Sequence, residues 1–416
     1  MAQSLRNLDS HDLTNPDIPL PPEPLARILR EAVDQGATDI HVDTWGNHAV
    51  ARYRIDGVAR ELDPLDLDQA RRLINQVKVS AKLNIEATLQ PLEGQFRWQQ
   101  GEQVRDIRVT IIPEAPRNEA AHLRLLTRPE DWRHMEQLGM RPEQLATVRG
   151  VMQRPHGLVL VAGPTGSGKT TTLYALTELE DLRHLIAASI EDPIEFDLPY
   201  VRQLEVDKRH GITMREGLRT LLRMDADLLM VGEIRDGESA IVAAQAALAG
   251  RLVLATIHAR DAASVISTMR HLGVPPYVLA SSLRMVIAQT LVRKLCGECT
   301  AAYSTRNAER KLFEQARLPV PDTVRVAKGC SPCGQTGFKG RTGVFQVAVF
   351  DESHGAWLAD GPPEHEVRER LVQEGTQSLN SEVLQRAADG TISLSEAARV
   401  VGAAGNGPGT AIEQKV

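Results

Sequence analysis

Gly157-Leu158-Val159-Leu160-Val161-Ala162 runs directly into Gly163-Pro164-Thr165-Gly166-Ser167-Gly168-Lys169-Thr170. The first six residues are wholly apolar, the pattern of a buried strand, and Thr171 to Leu179 reads as a helix. The stretch between them matches GxxxxGK[ST], the loop that cradles nucleotide phosphates, in the strand, loop, helix setting that this loop requires. Its glycines let the backbone turn tightly, so that successive N–H groups and the helix N-terminus face a β-phosphate. Lys169 reaches the β and γ oxygens, the hydroxyl of Thr170 is placed to ligate Mg²⁺, and Thr171 completes the ATP-binding stretch. Nucleotide binding follows from this segment alone.

Farther along, one device recurs: an apolar strand that delivers polar or acidic residues at its C-terminal end. Leu185 to Ile190 runs into Glu191-Asp192-Pro193-Ile194-Glu195, with Pro193 ending the strand. Leu228 to Val231 runs into Gly232-Glu233-Ile234-Arg235-Asp236, and Leu252 to Ile257 runs into His258. In a parallel, doubly wound sheet such strand ends share one edge with the phosphate loop, which is where ligands bind. The constellation is that of an ATPase. Glu233 is the residue expected to polarise the attacking water. Glu191, Asp192 and Glu195 either hold Mg²⁺ through water, orient the nucleophile or brace the turn. His258 either senses the γ-phosphate or is a satisfied residue at the edge of the core. Arg219 and Arg223 lie four apart on one helical face, so they either serve phosphate or intersubunit contacts or form a solvated face.

The chain has four cysteines, in the pairs Cys296/Cys299 and Cys330/Cys333. Two CxxC pairs fit a closed, tetrahedral, structural zinc site, and disulfides are the alternative, which a cytosolic chain disfavours.

The 416 residues carry 48 basic against 54 acidic side chains and are 42% hydrophobic. That suffices for two or three cores, and it lacks the basic footprint of a nucleic-acid binder. The best membrane candidate, Ile241 to Ile257, is interrupted by Gln245, Gly250 and Arg251, and the first residues lack the apolar region of a secretory signal. A cytosolic chain with no transmembrane segment is expected. Residues 1–20 read as a disordered lead, and 21–126 as a small α+β domain with helices at Leu25–Gln35 and Arg71–Leu83 and strands at Ala49–Ile55 and Val104–Ile112. Residues 127–142 read as a linker, 143–295 as the nucleotide domain, 296–333 as the cysteine subdomain, 334–402 as a helical subdomain and 403–416 as a flexible tail.

Together GPTGSGKTTTLYAL (163–176), SIEDPIEF (189–196), LLMVGEIRDGESA (228–240), ATIHARDAASVISTMRHLGV (255–274) and the double CxxC followed by GRTGVFQV (340–347) resemble the secretion ATPase superfamily, in its type II secretion and type IV pilus assembly branch. ATDIHVD and VARYRIDGVAR resemble that family's PAS-like second N-terminal domain, and residues 374–401 its C-terminal helical subdomain. The resemblance implies a RecA-like α/β ATPase domain behind a small PAS-like α+β domain. It also implies a homo-hexameric motor that hydrolyses ATP with Mg²⁺, carries structural Zn²⁺ and drives pseudopilus or pilus assembly. Its partners would be an inner-membrane platform protein and a membrane-bound recruiter, at the cytoplasmic face of the inner membrane. Carried over by position, Glu191 to Glu195 match the Asp box, Gly232 to Asp236 Walker B and His258 the His box. Arg219, Arg223 and Arg235 match arginines near the nucleotide or the neighbouring subunit, and Arg108 matches an N-terminal-domain arginine that faces the phosphates.

The sequence also departs from the family. PLEGQ (91–95) stands where the family has PQDGR, so Gln95 replaces a phosphate-facing arginine, and Arg97 shares its face two residues on. Gln346 replaces a common glutamate, and only about twenty residues precede the PAS-like part, so recruitment is expected to differ. These departures leave a second class open, a catalytically weak nucleotide-binding regulatory subunit. The cysteine pairs argue against a retraction motor. The same pairs, with the acidic charge, argue against a DNA-transport ATPase.

Overall fold

Apolar alternation builds the first of two units. The computed structural model describes residues 21–45, 48–100, 103–114, 118–126 and 134–404, which divide at Pro129/Glu130. The expected lead, residues 127–133 of the expected linker and residues 405–416 of the expected tail lie outside the described residues, whereas the rest of that linker is no free connector, because Met135, Leu138 and Met140 are buried in a core of unit 2. Unit 1 comprises α1 (Leu25–Asp34), β1 (Ala37–Trp45), β2 (His48–Ile55), β3 (Val58–Leu65), α2 (Leu67–Ser80), β4 (Leu92–Gln100), β5 (Gln103–Glu114) and β6 (Asn118–Leu126). Its six strands form one sheet in the order β3-β2-β1-β6-β5-β4, antiparallel at every pairing. The period of two along β5 puts Ile107, Val109 and Ile111 into a core shared with Leu29 of α1 and Leu73 of α2. Arg108 alternates to the opposite face, cross-strand from Gln95 and Arg124. Helix α2 starts earlier than the sequence suggested because Asp66 and Gln69 close a capping box.

Unit 2 begins with a single 3-10 turn at Met135–Gln137, followed by α3 (Pro142–Met152), β7 (Gly157–Ala162), α4 (Lys169–Thr177), β8 (Ala187–Glu191), β9 (Val201–Glu205), α5 (Met214–Leu222), β10 (Leu228–Ile234), α6 (Gly237–Leu248), β11 (Leu252–Ile257), α7 (Ala262–His271), α8 (Pro276–Ser282) and β12 (Leu283–Leu295). The chain continues through β13 (Ala301–Ser304), α9 (Asn307–Gln315), β14 (Thr323–Val326), β15 (Phe338–Val349), α10 (Glu352–Ala359), α11 (Glu364–Gln373), α12 (Leu379–Ala388) and α13 (Leu394–Ala404). Seven strands form the main sheet in the order β15-β12-β7-β11-β10-β8-β9. All neighbours are parallel except β15, which runs antiparallel to β12. β7 and β11 are buried along their whole length, as expected for parallel strands covered on both faces. The candidate span Ile241 to Ile257 resolves into the end of α6, a turn and β11. No helix among the described residues is long and apolar enough to cross a membrane.

The sequence-based division at residue 295 cuts through this sheet, because its last strand, β15, comes from beyond the cysteines. The cysteine segment and the C-terminal helices share one core, in which Val292 and Val344 of the sheet meet Phe313, Val324, Val383 and Ile392. Glu396 of α13 is fully buried there. Its carboxylate takes Arg293 at 2.7 Å and Arg399 at 2.7 Å. Burial alone would raise its pKa, but the two guanidiniums and the Arg293 N–H outweigh that and hold it at about 2. A carboxylate that is more acidic folded than unfolded contributes stability that is complete above its ordinary pKa near 4.5 and is lost as the pH falls toward 2. Wild type should therefore exceed Glu396→Gln in urea resistance by roughly 2–3 kcal/mol at neutral pH. The gap should close between pH 5 and pH 2, and a gap independent of pH would contradict the assignment.

Candidate functional site

The phosphate loop spans the gap between the end of β7 and the start of α4. Gly166 and Gly168 sit at φ +76° and +85°, a region that L side chains rarely adopt. Gly168 is the left-handed cap of α4, so the helix opens at Lys169, two residues before the expected Thr171. A Cβ on Gly163 would lie 2.5 Å from the Gln289 carbonyl oxygen, so the loop packs directly against β12. The Lys169 ammonium donates to Gly163 O at 3.0 Å and Pro164 O at 3.2 Å. Burial lowers its pKa; Glu233 opposes that shift and Arg235 adds to it.

Strand β11, next to β7 in the sheet, and β10, next to β11, bring their C-terminal ends to the same loop. Glu233 Oε1 lies 2.6 Å from His258 Nε2 and 4.0 Å from Lys169 Nζ. His258 Nδ1 is 3.4 Å from that ammonium. The other Glu233 oxygen accepts from Arg235 Nε, and Arg235 also reaches Asp192 at 3.5 Å. Thr256 Oγ donates to Gly232 O at 2.6 Å and ties the two strand ends together. Asp236 caps α6 through the Ser239 N–H. The sequence-predicted Lys169, Glu233, His258, Arg235 and Asp192 are thus one connected cluster.

Glu191 ends β8 differently. It is 2% exposed, and its oxygens accept from Tyr174 Oη, from Ser189 Oγ at 2.6 Å and from Gln203 Nε2 at 2.9 Å. Tyr174 Oη in turn accepts from Glu195 N at 3.2 Å. Burial and the adjacent carboxylate hold this phenol well above its usual pKa. The sequence reading missed Tyr174, Ser189 and Gln203; the signal available was the tyrosine one turn into the loop's helix. Arg219 pairs with Glu216 at 3.6 Å and Arg223 with Thr220 at 3.3 Å, so both lie on the exposed face of α5 and outside the cluster. Arg108 belongs to unit 1.

The four cysteines come together as their spacing suggested. They are free thiols whose Sγ atoms all lie within 4.8 Å of one another. Cys296–Cys330 is 3.8 Å, Cys299–Cys333 3.9 Å and Cys330–Cys333 3.5 Å. Zinc–sulfur bonds of about 2.3 Å in a tetrahedron put sulfurs about 3.8 Å apart, whereas a disulfide needs about 2.05 Å. Burial pushes the Cys333 thiol up, but N–H groups of Cys330 and Gly337 at 3.2 and 3.1 Å bring it down to about 6. The donor set and its spacing fit a structural metal of the zinc type.

A family model described as type II/IV secretion system protein matches residues 19–399. The chain belongs to that family and is a secretion-system ATPase, an ATP hydrolase of the P-loop kind. The type II secretion system ATPase E of Vibrio cholerae serotype O1 is 37% identical over 90% of this chain and 74% of its own length. Protein E of the Pseudomonas aeruginosa type II system is 38% identical over the same shares, 90% and 74%. The ATPase DotB of Legionella pneumophila superposes with a TM-score of 0.67 at 19% identity, covering 91% of this chain and 95% of that one. The pilus retraction motor PilT with bound ADP gives 0.60 at 23%, covering 92% and 97%. At those identities the likeness is one of fold.

Tyr174→Phe removes a donor from Glu191 and an acceptor from Glu195 N, both away from bulk water. The variant should lose about 1–3 kcal/mol in denaturant unfolding. Unchanged stability would show that Tyr174 does not brace this turn.

Proposed function

We propose that this chain is the assembly motor of a type II secretion or type IV pilus system. It would work as a homo-hexamer at the cytoplasmic face of the inner membrane and pass its movement to a platform protein there. The observation that carries the catalytic reading is the Glu233 carboxylate, held between His258 and Arg235 and within 4.0 Å of Lys169. Such a carboxylate is fixed in direction and shielded on one side, which suits it to orient and polarise a water in line with a γ-phosphate. Lys169 balances charge on the β and γ oxygens, and residues Gly163 to Thr171 supply the backbone cradle. Magnesium, held through the Thr170 hydroxyl at the start of α4, would neutralise phosphate charge. His258 keeps the Glu233 carboxylate aimed and registers the γ-phosphate through it. Glu191 braces the turn that carries Asp192 and Glu195, a role its buried, three-donor setting supports better than direct metal ligation. The cysteine cage would hold zinc as a structural centre that ties 296–337 together between β12 and β15.

Glu233→Gln should bind ATP with near-normal affinity and turn it over at least roughly a hundredfold more slowly. Affinity that falls while turnover survives would make Glu233 a ligand instead. A wild-type chain that binds ATP but hydrolyses it at background would be the regulatory subunit.

Metal analysis of freshly reduced protein should find about one zinc per chain, and Cys330→Ser should lose it and open residues 296–337 to protease. Zinc-free protein with a protected segment would remove the metal assignment.

A further inference from the structure

The site leans on two strands that give it none of its charged groups. In the apolar run of β12, Gln289 is 2% exposed. Its Nε2 donates to the Ser167 carbonyl at 2.7 Å, while its Oε1 is buried with no partner. On β15, Gln346 is 5% exposed, and its Oε1 accepts from Ala262 N at 2.9 Å. That N–H opens α7 immediately after the His258 to Asp261 loop. In the β12/β15 register Gln289 stands opposite Phe345 and Gln346 opposite Ala288. The two amides therefore project to opposite faces of the sheet, one toward α4 and one toward α7.

We propose that Gln289 and Gln346 are positioning residues for ATP hydrolysis, Gln289 fixing the phosphate loop and Gln346 fixing the loop that carries His258. The proposal rests on the ATPase reading above and deepens it.

A half-satisfied amide in a strand core costs stability that a leucine of similar size would not. What Gln289 contributes therefore lies in the loop it holds. Pinning the Ser167 carbonyl toward β12 fixes the Ser167–Gly168 peptide plane. Because the peptide is trans, the Gly168 N–H then points away from β12. Phosphate loops bind anions through N–H groups of this kind, so the effect falls on nucleotide affinity. Gln346 instead sets the height of the first turn of α7, and through the short loop before it the His258 ring that meets Glu233. Its effect falls on turnover.

The test measures ATP affinity, turnover and thermal midpoint in the full chain. Gln289→Leu should weaken ATP binding about fivefold, the worth of one hydrogen bond, with an unchanged or higher thermal midpoint. Gln346→Leu should slow turnover about fivefold at near-constant affinity, and Gln346→Glu, whose carboxylate accepts the same N–H, should restore most of it. Gln289→Leu that lowers the thermal midpoint and leaves affinity intact would overturn the role of Gln289. A Gln346→Glu that behaves like Gln346→Leu would overturn that of Gln346. A wild-type chain that binds no ATP would overturn the ATPase reading and this proposal together, whereas either variant result above, beside an active wild type, overturns the proposal alone.

Discussion

The Glu233 carboxylate is shared among His258, Arg235 and the neighbouring Lys169 ammonium, and the rest of unit 2 is arranged around that sharing. Each partner sits at the end of a different element: Lys169 at the head of α4, Glu233 and Arg235 at the end of β10, His258 just past β11. They meet because β7, β11 and β10 are adjacent and parallel, so that their C-terminal ends fall on one edge. One carboxylate facing three cationic or hydrogen-bonding groups in a half-buried setting has its direction fixed before any substrate arrives. Fixed direction, more than strength of any single contact, is what such a site supplies to a reaction with little covalent chemistry of its own.

Much of this was legible in the sequence because its signals are local. An apolar hexamer, a glycine-rich loop and a helix in fixed order identify β7, the loop and α4. The same logic locates Glu233 and His258 at strand ends, and CxxC spacing locates the cysteine cluster. Partners far apart in sequence were not legible. Nothing near Glu191 announces that Gln203 and Tyr174 will cover its oxygens, and the place of β15 in the sheet depends on a pairing with β12 across the whole cysteine segment. Gln289 did leave a trace, as a lone amide in an apolar strand, but its partner, the Ser167 carbonyl, is 122 residues away. The arginines of α5 were legible only in their placement. Their spacing is helical, and within this chain they face outward, away from the Glu233 cluster.

The C-terminal part bears on the site through its packing. Arg368 of α11 grips Asp261 at 2.8 Å, the residue that caps α7 and closes the His258 loop. The buried Glu382 of α12 takes Arg141 and Gln144, so the same helical region clasps the segment where unit 2 begins. Through Asp261, α11 thus bears on the loop that carries His258, while α12 bears on the stability of unit 2.

On the proposed reading, Glu233 and His258 act as one device, with the histidine aiming the carboxylate. A double-mutant cycle on ATP turnover, with His258→Ala, Glu233→Gln and the pair, tests it most directly. The double variant should be no slower than Glu233→Gln alone, because aiming a group that no longer acts changes nothing. Losses that multiply would show two independent contributions and contradict it.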